Sequence, residues 1–532
     1  MTRFFKMTTT LFFLLLFLTA CEGDYRFAPS GLPYVESQHL YEDYDNNEPA
    51  EPTAQTDSIY AEPLVTPPAD RPAQTSGVLT LHMRPPLTLN PLLNQDITVA
   101  RILRLIYEPL AVLDDQLRIT GHLADLQFAS DFGSVNATIR EDAIWSCGMP
   151  VTADDIIFSV ETLRRAPANA IYRANVENIA SVTRINTRTV QIAFTQASVM
   201  AKYSLNFPII PQHVEIGEIP VGNGLFTLET HTPARSLTLR RSPYTFRRRA
   251  QIEEIEVIFL PDTATDFYAF ERGRIDALHL PLTEWMRHPG VRSPRYEVFP
   301  AMYFEFIGFN FSNPIFRELS TRQGIAHAFN ASEAVASLYL AHAVHSATPI
   351  HPMGFAANAE ISGAVYDPAR AAALPGALRF DQPLEIITNE ENPQRVSIAQ
   401  RLAQSLTVAG LDAVAVPLPF DEFNERLSAR DFDLYIGGVQ LPFAPDVRLF
   451  FQSGGLFVHD AALDAAFSAL LIASTEIAYA AAISNLQQVF VERLPVIGLA
   501  FRHSALLVNP RIESELAPTP DGVFTNINNW AI

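Results

Sequence analysis

Residues 383–418 read PLEIITNEENPQRVSIAQRLAQSLTVAGLDAVAVPL, and this stretch decides the fold class. An apolar run, PLEIIT, precedes a polar loop and a segment whose apolar residues recur at helical spacing. That segment stops at Gly410, a residue type that commonly ends helices, and a second apolar run follows. The order strand, helix, strand predicts a βαβ unit. It therefore predicts a mainly parallel sheet covered by helices.

Segments on both sides of this unit extend the α/β pattern. VLTLHM (78–83) and VNATIR (135–140) have the composition of strands. Asp96 can cap a helix in DITVARILRLIYEPL (96–110), and Thr152 with Asp155 has capping-box spacing at the start of TADDIIFSVETLRR (152–165). Helical patterns recur at 463–473 and 476–493. A chain of α/β segments this long exceeds one compact core, so we expect two α/β lobes with a ligand cleft between them.

Charge and cysteine content exclude several classes of function. The chain carries 58 acidic and 38 basic residues, a net charge of −20, which argues against a nucleic-acid partner. Its only cysteines are Cys21 and Cys147. Once Cys21 is modified, no intramolecular disulfide can form, and a cysteine-based metal site is excluded by the same count.

The N-terminal segment predicts secretion and lipidation. Arg3 and Lys6 precede an apolar run, LFFLLLFLTACE (11–22), that is shorter than the roughly 20 apolar residues a membrane span needs. A basic start, a short apolar core and small residues are typical of a signal peptide. Leu18-Thr19-Ala20-Cys21 resembles the bacterial lipobox. We therefore expect residues 1–20 to be removed and Cys21 to carry a membrane anchor.

Residues 21–76 predict a disordered tether. The segment is acidic and proline-rich, and no helical or alternating period persists in it. Such a composition cannot bury enough apolar surface to offset the entropy lost on ordering. An acidic recognition tail is the alternative. Signal, anchor and tether together predict an extracytoplasmic protein held at the cell membrane, on its outer surface or in the periplasm.

From residue 78 onward the chain resembles the family 5 extracellular solute-binding proteins, the peptide- and nickel-type receptors of ABC importers. The resemblance is carried by motifs that occur in the family's order: TLNPLL (88–93), IYEPLAVLD (106–114), IREDAIWSCGMPVTADDIIFSVETL (139–163), PVGNGLFTL (220–228), FERGRIDA (270–277), FIGFNFSNPIFRELSTRQGIAHAFN (306–330) and FDLYIGGV (432–439).

The resemblance implies a bilobal, class II venus-flytrap fold in which two chain crossings form the hinge. Lobe I is expected at 77–300, with an extra subdomain at about 111–205; lobe II at 301–495; and a C-terminal return to lobe I at 496–532. Members of the family enclose a ligand on closure and present it to permease subunits. Peptide-binding members hold the ligand's backbone with main-chain groups, and an Asp late in lobe II binds its α-amine.

The segment GGVQLPFAPDVRLFF (437–451) departs from the family pattern at that amine-binding Asp. Counting back from Phe450 and Phe451 places Phe443 at the first acidic position and Asp446 at the second. Because a buried ammonium without a carboxylate costs several kcal/mol, recognition of a free peptide amine should be weakened. Asp446 either replaces the missing acid or is a loop cap. Phe443 is expected to line an apolar pocket.

Further candidate ligand-binding residues come from the other motifs. MYFEFIGFNF (302–311) contributes Tyr303, Glu305 and Asn310, although a packed strand accounts for about half of its residues. Trp285 lies near the expected hinge, and Trp145 belongs to the motif at 139–163. Next to Trp145, Cys147 is either a reactive thiol or a small residue tolerated in a turn.

A histidine cluster, His342, His345 and His351, raises the possibility of metal binding because some relatives carry nickel. We expect His342 and His345 at neighbouring helix positions and His351 in a loop beyond Pro349. No carboxylate or cysteine joins them at a recognised spacing. We therefore predict no metal site and no cofactor.

The sequence carries no Gly-x-Ser-x-Gly or His-Glu-x-x-His motif, which argues against an enzyme. We predict a monomeric, membrane-anchored receptor of an ABC importer that captures a peptide or peptide-like solute and passes it to the permease subunits. The alternative is a binding lipoprotein of the same fold outside transport: a sensor, a signal-peptide receptor or a scaffold.

Overall fold

The structure is a computed structural model that describes residues 77–214, 220–281, 295–372, 382–452 and 456–532. The predicted signal peptide, Cys21, the predicted tether and Trp285 all lie outside the described residues. Within the described ranges, no helix is both long and apolar enough to cross a membrane.

The strands follow one another through the whole described chain. They are β1 (Val78–Met83), β2 (Ala111–Leu113), β3 (Ile119–Gly121), β4 (Ala124–Phe128), β5 (Ser134–Ile139), β6 (Ile179–Arg184), β7 (Thr189–Phe194), β8 (Phe226–Thr232), β9 (Ser236–Arg241), β10 (Glu254–Phe259), β11 (Ala277–Pro281), β12 (Arg295–Phe309), β13 (Ala343–His345), β14 (Leu384–Asn389), β15 (Ala413–Leu418), β16 (Leu434–Gln440) and β17 (Val496–Val508).

The helices alternate with these strands. They are α1 (Ile97–Ile106), α2 (Ala153–Arg164), α3 (Thr263–Glu271), α4 (Leu319–Ala328), α5 (Ala331–Tyr339), α6 (Pro368–Ala372), α7 (Pro393–Val408), α8 (Phe420–Ala429), α9 (Ala461–Leu471) and α10 (Glu476–Arg493). A 3₁₀ helix at Val199–Leu205 lies on the wall of the cleft described below.

Lobe I is built on two four-stranded sheets that share one core. The first has the order β1-β10-β9-β8, and the second, in the extra subdomain, has the order β4-β5-β7-β6. Asp96 caps α1 by accepting hydrogen bonds from the backbone of Thr98 and Val99, as the sequence predicts. The chain after β17 packs onto the same core through Ile512, Ile527 and Trp530.

A larger sheet, most of which lies in lobe II, has the strand order β11-β17-β12-β16-β14-β15, with β13 paired to β17. The predicted βαβ unit is present: β14 and β15 pair in parallel, and α7 connects them. Alternate residues of the strands face opposite layers. Ile387 and Tyr435 pack with α9 and α10, whereas Ile386 and Ile436 pack with α7. Helices therefore cover both faces.

The prediction of a mainly parallel sheet is wrong. In the described part of this sheet the parallel pairs are β14 with β15 and β14 with β16, whereas β12 pairs antiparallel with both β16 and β17. The reason is that β12 carries the chain out of lobe I and β17 brings it back. Two adjacent strands that run in opposite directions between the lobes pair antiparallel, without the crossover that parallel strands require.

These two long strands connect the lobes. Arg295–Pro300 of β12 lies opposite His503–Val508 of β17, and Phe304–Gly308 lies opposite Val496–Phe501. The register is irregular between Pro300 and Phe304. Phe299 on one side of this irregularity belongs to the core of lobe I, and Phe304 on the other side belongs to a core of lobe II. A break in strand pairing is where a sheet bends most readily.

Candidate functional site: the cleft between the lobes

Among the described residues, three cavities between the lobes meet at one loop. This loop, Leu441–Val447, follows β16 directly; we call it the interlobe loop. Its Leu441, Ala444 and Val447 belong to a core of lobe II, whereas Phe443 packs against the core of lobe I. Phe443 lines all three cavities. The loop therefore divides the cleft, and the Phe443 ring stands at the point of division.

The subdomain cavity, of about 200 Å³, lies between the extra subdomain and the interlobe loop. Its wall on the side of lobe I carries amide and hydroxyl side chains: Tyr172, Asn175, Asn178, Gln196, Ser198, Tyr203, Ser204 and Asn206. Lobe II contributes Phe443, Asp446 and Arg448. The cavity thus combines neutral polar groups with aromatic faces.

The other two cavities flank Phe443. The loop cavity, of about 30 Å³, is lined by His351, Phe355, Tyr479 and the whole interlobe loop. The hinge cavity, of about 120 Å³, lies beside the β12–β17 crossing and is lined by Arg101, His279, Tyr303, Arg502 and His503, among others. Each cavity is lined by residues of both lobes. The complete cleft therefore exists only when the lobes meet.

Asp446 of the interlobe loop is held in an ion pair with Arg448, which directly follows the loop. Its carboxylate accepts from Arg448 Nε at 2.9 and 3.1 Å and from Arg448 Nη2 at 2.5 Å. The hydrogen bond to Asp446 raises the pKa of Arg448, so that its guanidinium stays charged. Asp446 also accepts from the Arg448 backbone N–H at 3.2 Å. The Asp446 charge at the cavity wall is therefore already balanced by Arg448.

His351 is the buried imidazole of the loop cavity. Its Nδ1 accepts a hydrogen bond from the Met353 backbone N–H at 3.2 Å, so the proton of the neutral ring lies on Nε2. Burial, together with the nearby His503, lowers the pKa of His351 from 6.5 to about 4. The ring is neutral at pH 7, and it packs 4.5 Å, centroid to centroid, from Phe501.

Direct contacts hold the two lobes together around the cavities. The Val199 backbone N–H donates to Ala473 O at 2.9 Å, and the Phe355 N–H donates to Gln116 O at 3.0 Å. The Lys202 ammonium lies 2.7 Å from Glu476. It also lies 4.6 Å from the ring centroid of Phe132 and 5.3 Å from that of Phe128. The lobes are therefore in contact across the cleft.

Tyr203 adds a hydroxyl to this contact. It donates to Leu117 O at 3.0 Å and is hydrogen-bonded to Tyr479 of lobe II. Burial raises the pKa of Tyr203 to about 12, so the phenol stays protonated and can donate. The ring also forms part of both the subdomain cavity and the loop cavity.

The candidate residues predicted from the sequence fall into two groups. Phe443, Asp446 and Tyr303 line the cavities. Glu305 is fully buried behind Tyr303, where its carboxylate accepts from Arg395 Nε at 3.0 Å and from the Tyr339 hydroxyl. Arg395 in turn donates to the Tyr303 hydroxyl at 3.0 Å. Glu305 lines none of the three cavities and acts on Tyr303 through Arg395.

Asn310 and Trp145 lie away from these cavities. The Asn310 amide donates to the carbonyls of Arg430 and Phe432, which ties β12 to the loop before β16. Trp145 is fully buried, and its Nε1–H donates to Asp155 at 3.2 Å. Both residues are satisfied by structural hydrogen bonds, so the prediction that they line the ligand site is not supported by their position.

The structure also shows the surroundings of Cys147 and of the predicted histidine cluster. Cys147 is exposed, 3.4 Å from His213 Nε2, in a turn where Gly148 has a φ of +87°. His342 and His345 do not share a helix, because α5 ends at Tyr339, Leu340 and Ala341 have positive φ, and His345 belongs to β13. Among the described residues no group of metal-ligating side chains is assembled.

Sequence reasoning missed the lobe I wall of the cleft. These wall residues belong to no motif: Asn175, Gln196, Tyr203 and Asn206. The 3₁₀ helix that contains Tyr203 and is capped by Asn206 has no sequence period to find. Arg448 lies in the segment 437–451 but is not among the residues predicted for the site. Its spacing of two residues from Asp446 was the available signal for an ion pair.

Fold and cleft together define a two-lobed solute-binding protein. Residues 119–454 match the family model described as bacterial extracellular solute-binding proteins, family 5 (middle), and the chain belongs to this family. The family consists of extracellular receptors, not enzymes, which places the protein outside the cytoplasm.

Relatives agree with this assignment. A Brucella ovis protein named as an ABC transporter peptide-binding protein is 23% identical over 365 residues, covering 63% of this chain and 68% of its own. A Haemophilus influenzae protein named as a binding protein is 22% identical over 372 residues, covering 66% of this chain and 68% of its own.

Solved structures share the fold at low identity. The ABC transporter substrate-binding protein CtaP of Listeria monocytogenes has a TM-score of 0.73 at 17% identity, covering 86% of this chain and 99% of its own. NikZ of Campylobacter jejuni, solved with Ni(L-His), has a TM-score of 0.66 at 19% identity, with coverages of 86% and 99%. AppA of Bacillus subtilis, solved with a nonapeptide, has a TM-score of 0.62 at 19% identity, with coverages of 86% and 98%.

Proposed function

We propose that this protein is the membrane-anchored substrate-binding protein of an ABC importer. It captures a peptide or peptide-like solute in the cleft between its lobes and delivers it to the permease subunits. Its work is binding and conformational change, without a chemical reaction.

The observation that carries this proposal is the shared wall of the cavities. Every cavity combines residues of lobe I with residues of the interlobe loop of lobe II. A ligand can make its full set of contacts only when both walls surround it, so binding favours the closed form over any open form. The β12–β17 crossing, with its irregular register beside the predicted boundary at residue 301, is the element about which the lobes would move.

A peptide-like ligand is supported by the names of the relatives and by the wall chemistry. The Brucella ovis relative is named as a peptide-binding protein. The amide and hydroxyl side chains of the subdomain cavity can both donate to and accept from peptide groups, and the Phe443 and Tyr203 rings offer apolar faces. Receptors of micromolar affinity need a net binding free energy of about −8 kcal/mol, which buried hydrogen bonds and aromatic contacts can supply.

The second candidate function is a binding lipoprotein of this fold outside transport. The observation that favours it is Phe443. This residue stands at the position where the resemblance implies an acid in peptide-binding members of the family. Such a sensor or scaffold would bind its ligand without passing it to a permease, so association with permease subunits separates the two candidates.

Ligand screening of purified residues 77–532 tests the proposal. Thermal-shift and calorimetric measurements would cover free and blocked di- to oligopeptides, nickel–histidine and sugars. A member of one peptide class should raise the melting temperature in proportion to the logarithm of its concentration above Kd and should compact the protein in small-angle scattering. Stabilisation by no solute in the set, together with stable capture of a protein partner, contradicts the proposal.

The anchor is tested separately in the full-length chain. Cys21→Ser should release the protein from membranes into the soluble extracytoplasmic fraction, because the lipidated thiol is lost. Cys147→Ser is the matched control and should leave the protein membrane-bound. Membrane retention of the Cys21 variant would contradict lipid anchoring at this residue.

A further inference from the structure

The charged groups of the subdomain and loop cavities are already paired or neutral. Among the described residues, the charged side chains of the subdomain cavity are Asp446 and Arg448, which form one ion pair. The loop cavity adds His351, which is neutral at pH 7. A ligand ammonium placed in either cavity would meet no unpaired carboxylate, and a buried charge without a partner is strongly disfavoured.

A buried acceptor in the subdomain cavity lacks a donor. Asn206 is 7% exposed, and its Oδ1 has no hydrogen-bond partner among the described residues. Its Nδ2 donates to Asp521 at 2.9 Å, which fixes the orientation of the amide, because the reverse orientation would place two oxygens together. Asn206 Oδ1 is thus a fixed acceptor on the cavity wall.

A buried donor in the loop cavity lacks an acceptor. His351 is 4% exposed, and its Nε2 has no hydrogen-bond partner among the described residues. Because Nδ1 accepts from Met353, Nε2 carries the proton. Leaving a buried donor or acceptor unsatisfied costs free energy that a correctly placed ligand group recovers.

We propose that these two adjoining cavities recognise uncharged polar groups of a blocked peptide, one group donating toward Asn206 Oδ1 in the subdomain cavity and another accepting from His351 Nε2 in the loop cavity, and that the preferred peptide has an acylated or cyclised amino terminus. This inference rests on the proposed function, since it names the ligand class of the same cleft. Phe443, between the two cavities, packs against the apolar part of such a blocked terminus.

Matched peptide pairs test the inference. Calorimetry with residues 77–532 would compare each dipeptide with its N-acetyl form, because the two differ only in the charge and acylation of the amine. We expect the N-acetyl form to bind at least about tenfold more tightly. Cyclic dipeptides should also bind, whereas disaccharides, which are uncharged but lack amides, should not.

Two variants assign the effect to the site. His351→Asn retains an acceptor near the position of Nδ1 for Met353 but removes the Nε2 donor; it should weaken N-acetyl peptides about fivefold to tenfold. His345→Asn, outside the cavities, is the control and should bind like the parent. Phe443→Asp places a carboxylate between the cavities and should reverse the preference toward free amines.

The outcomes separate the two proposals. Equal or tighter binding of free-amine dipeptides to the parent protein overturns the blocked-terminus inference and leaves the receptor function standing. Binding of disaccharides in place of N-acetyl peptides also overturns the inference. Stabilisation by no small solute overturns both proposals together.

Discussion

Gly222 and Gly224 show how single residues fix the packing of lobe I. A Cβ on Gly222 would lie 2.2 Å from Ile106 O, and one on Gly224 would lie 2.4 Å from Leu105 O. The loop that begins at Pro220 therefore packs directly on the end of α1, with the Gly224 N–H donating to Ile106 O at 2.8 Å. Only residues without a side chain allow this approach.

Gly222→Ala should lower the free energy of unfolding by about 2 kcal/mol or more, because backbone atoms cannot yield as a flexible side chain would. Chemical denaturation of residues 77–532 measures the change. Gly77→Ala is the control, since a Cβ there meets nothing within 4 Å. Equal stability of the two variants would show that the close approach is absent in solution.

His351 makes stability depend on pH. The unfolded chain takes up a proton near pH 6.5, whereas the folded pKa is about 4. Between these values the unfolded state binds more protons, so this residue's contribution to stability is complete above about pH 6.5 and falls as the pH drops toward 4. The loss reaches on the order of 3 kcal/mol at most.

His351→Asn should flatten this part of the pH profile, because asparagine does not titrate. Urea unfolding at pH 4.5 and pH 7 would give, for the parent and for the variant, the change in the free energy of unfolding with pH. A variant that loses stability on acidification as steeply as the parent would assign the effect to other groups.

At the scale of elements, the contact between the 3₁₀ helix at Val199–Leu205 and the start of α10 joins the lobes. Lys202 is the only lysine of residues 77–532, and its ammonium lies between Glu476 and the rings of Phe128 and Phe132. Glu476 is largely exposed, so the ion pair alone contributes little; the aromatic contacts add to it.

Lys202→Met keeps the aliphatic stem and removes the charge. It should weaken ligand binding about twofold to fivefold and enlarge the unliganded protein in small-angle scattering, because the closed form loses its charged contact. Lys202→Arg, which retains the charge, should remain close to the parent. Identical scattering and affinity for the methionine variant would contradict a role of this contact in closure.

Elements with local signals were predictable, and those defined by tertiary contacts were not. The structure confirms three features that short stretches of sequence specify: the helix cap at Asp96, the capping box at Thr152 with Asp155, and the βαβ unit at 383–418. The antiparallel β12–β17 pairing joins strands almost two hundred residues apart in sequence, which no local pattern specifies. That pairing also contradicts the prediction of a mainly parallel sheet.

At the scale of the whole molecule, the two-lobed fold was predictable from the order of the family motifs, but one wall of the site was not. The interlobe loop carries Phe443 and Asp446, which the motif comparison located. The facing wall, with Asn175 and Asn206, reaches the cleft only because the extra subdomain folds against lobe II. Trp145 is the opposite case: it belongs to a family motif, but its indole N–H donates to Asp155 in the core of lobe I, away from the three cavities.

A ligand bound at the interlobe loop should close the two lobes. The most direct measurement is energy transfer between dyes at Ser181→Cys in the subdomain and Ser468→Cys on α9, both exposed positions, in a Cys147→Ser background. Titration with the N-acetyl dipeptide that binds best should raise the transfer efficiency with the midpoint that calorimetry gives. Calorimetric binding without any change in transfer efficiency would contradict closure.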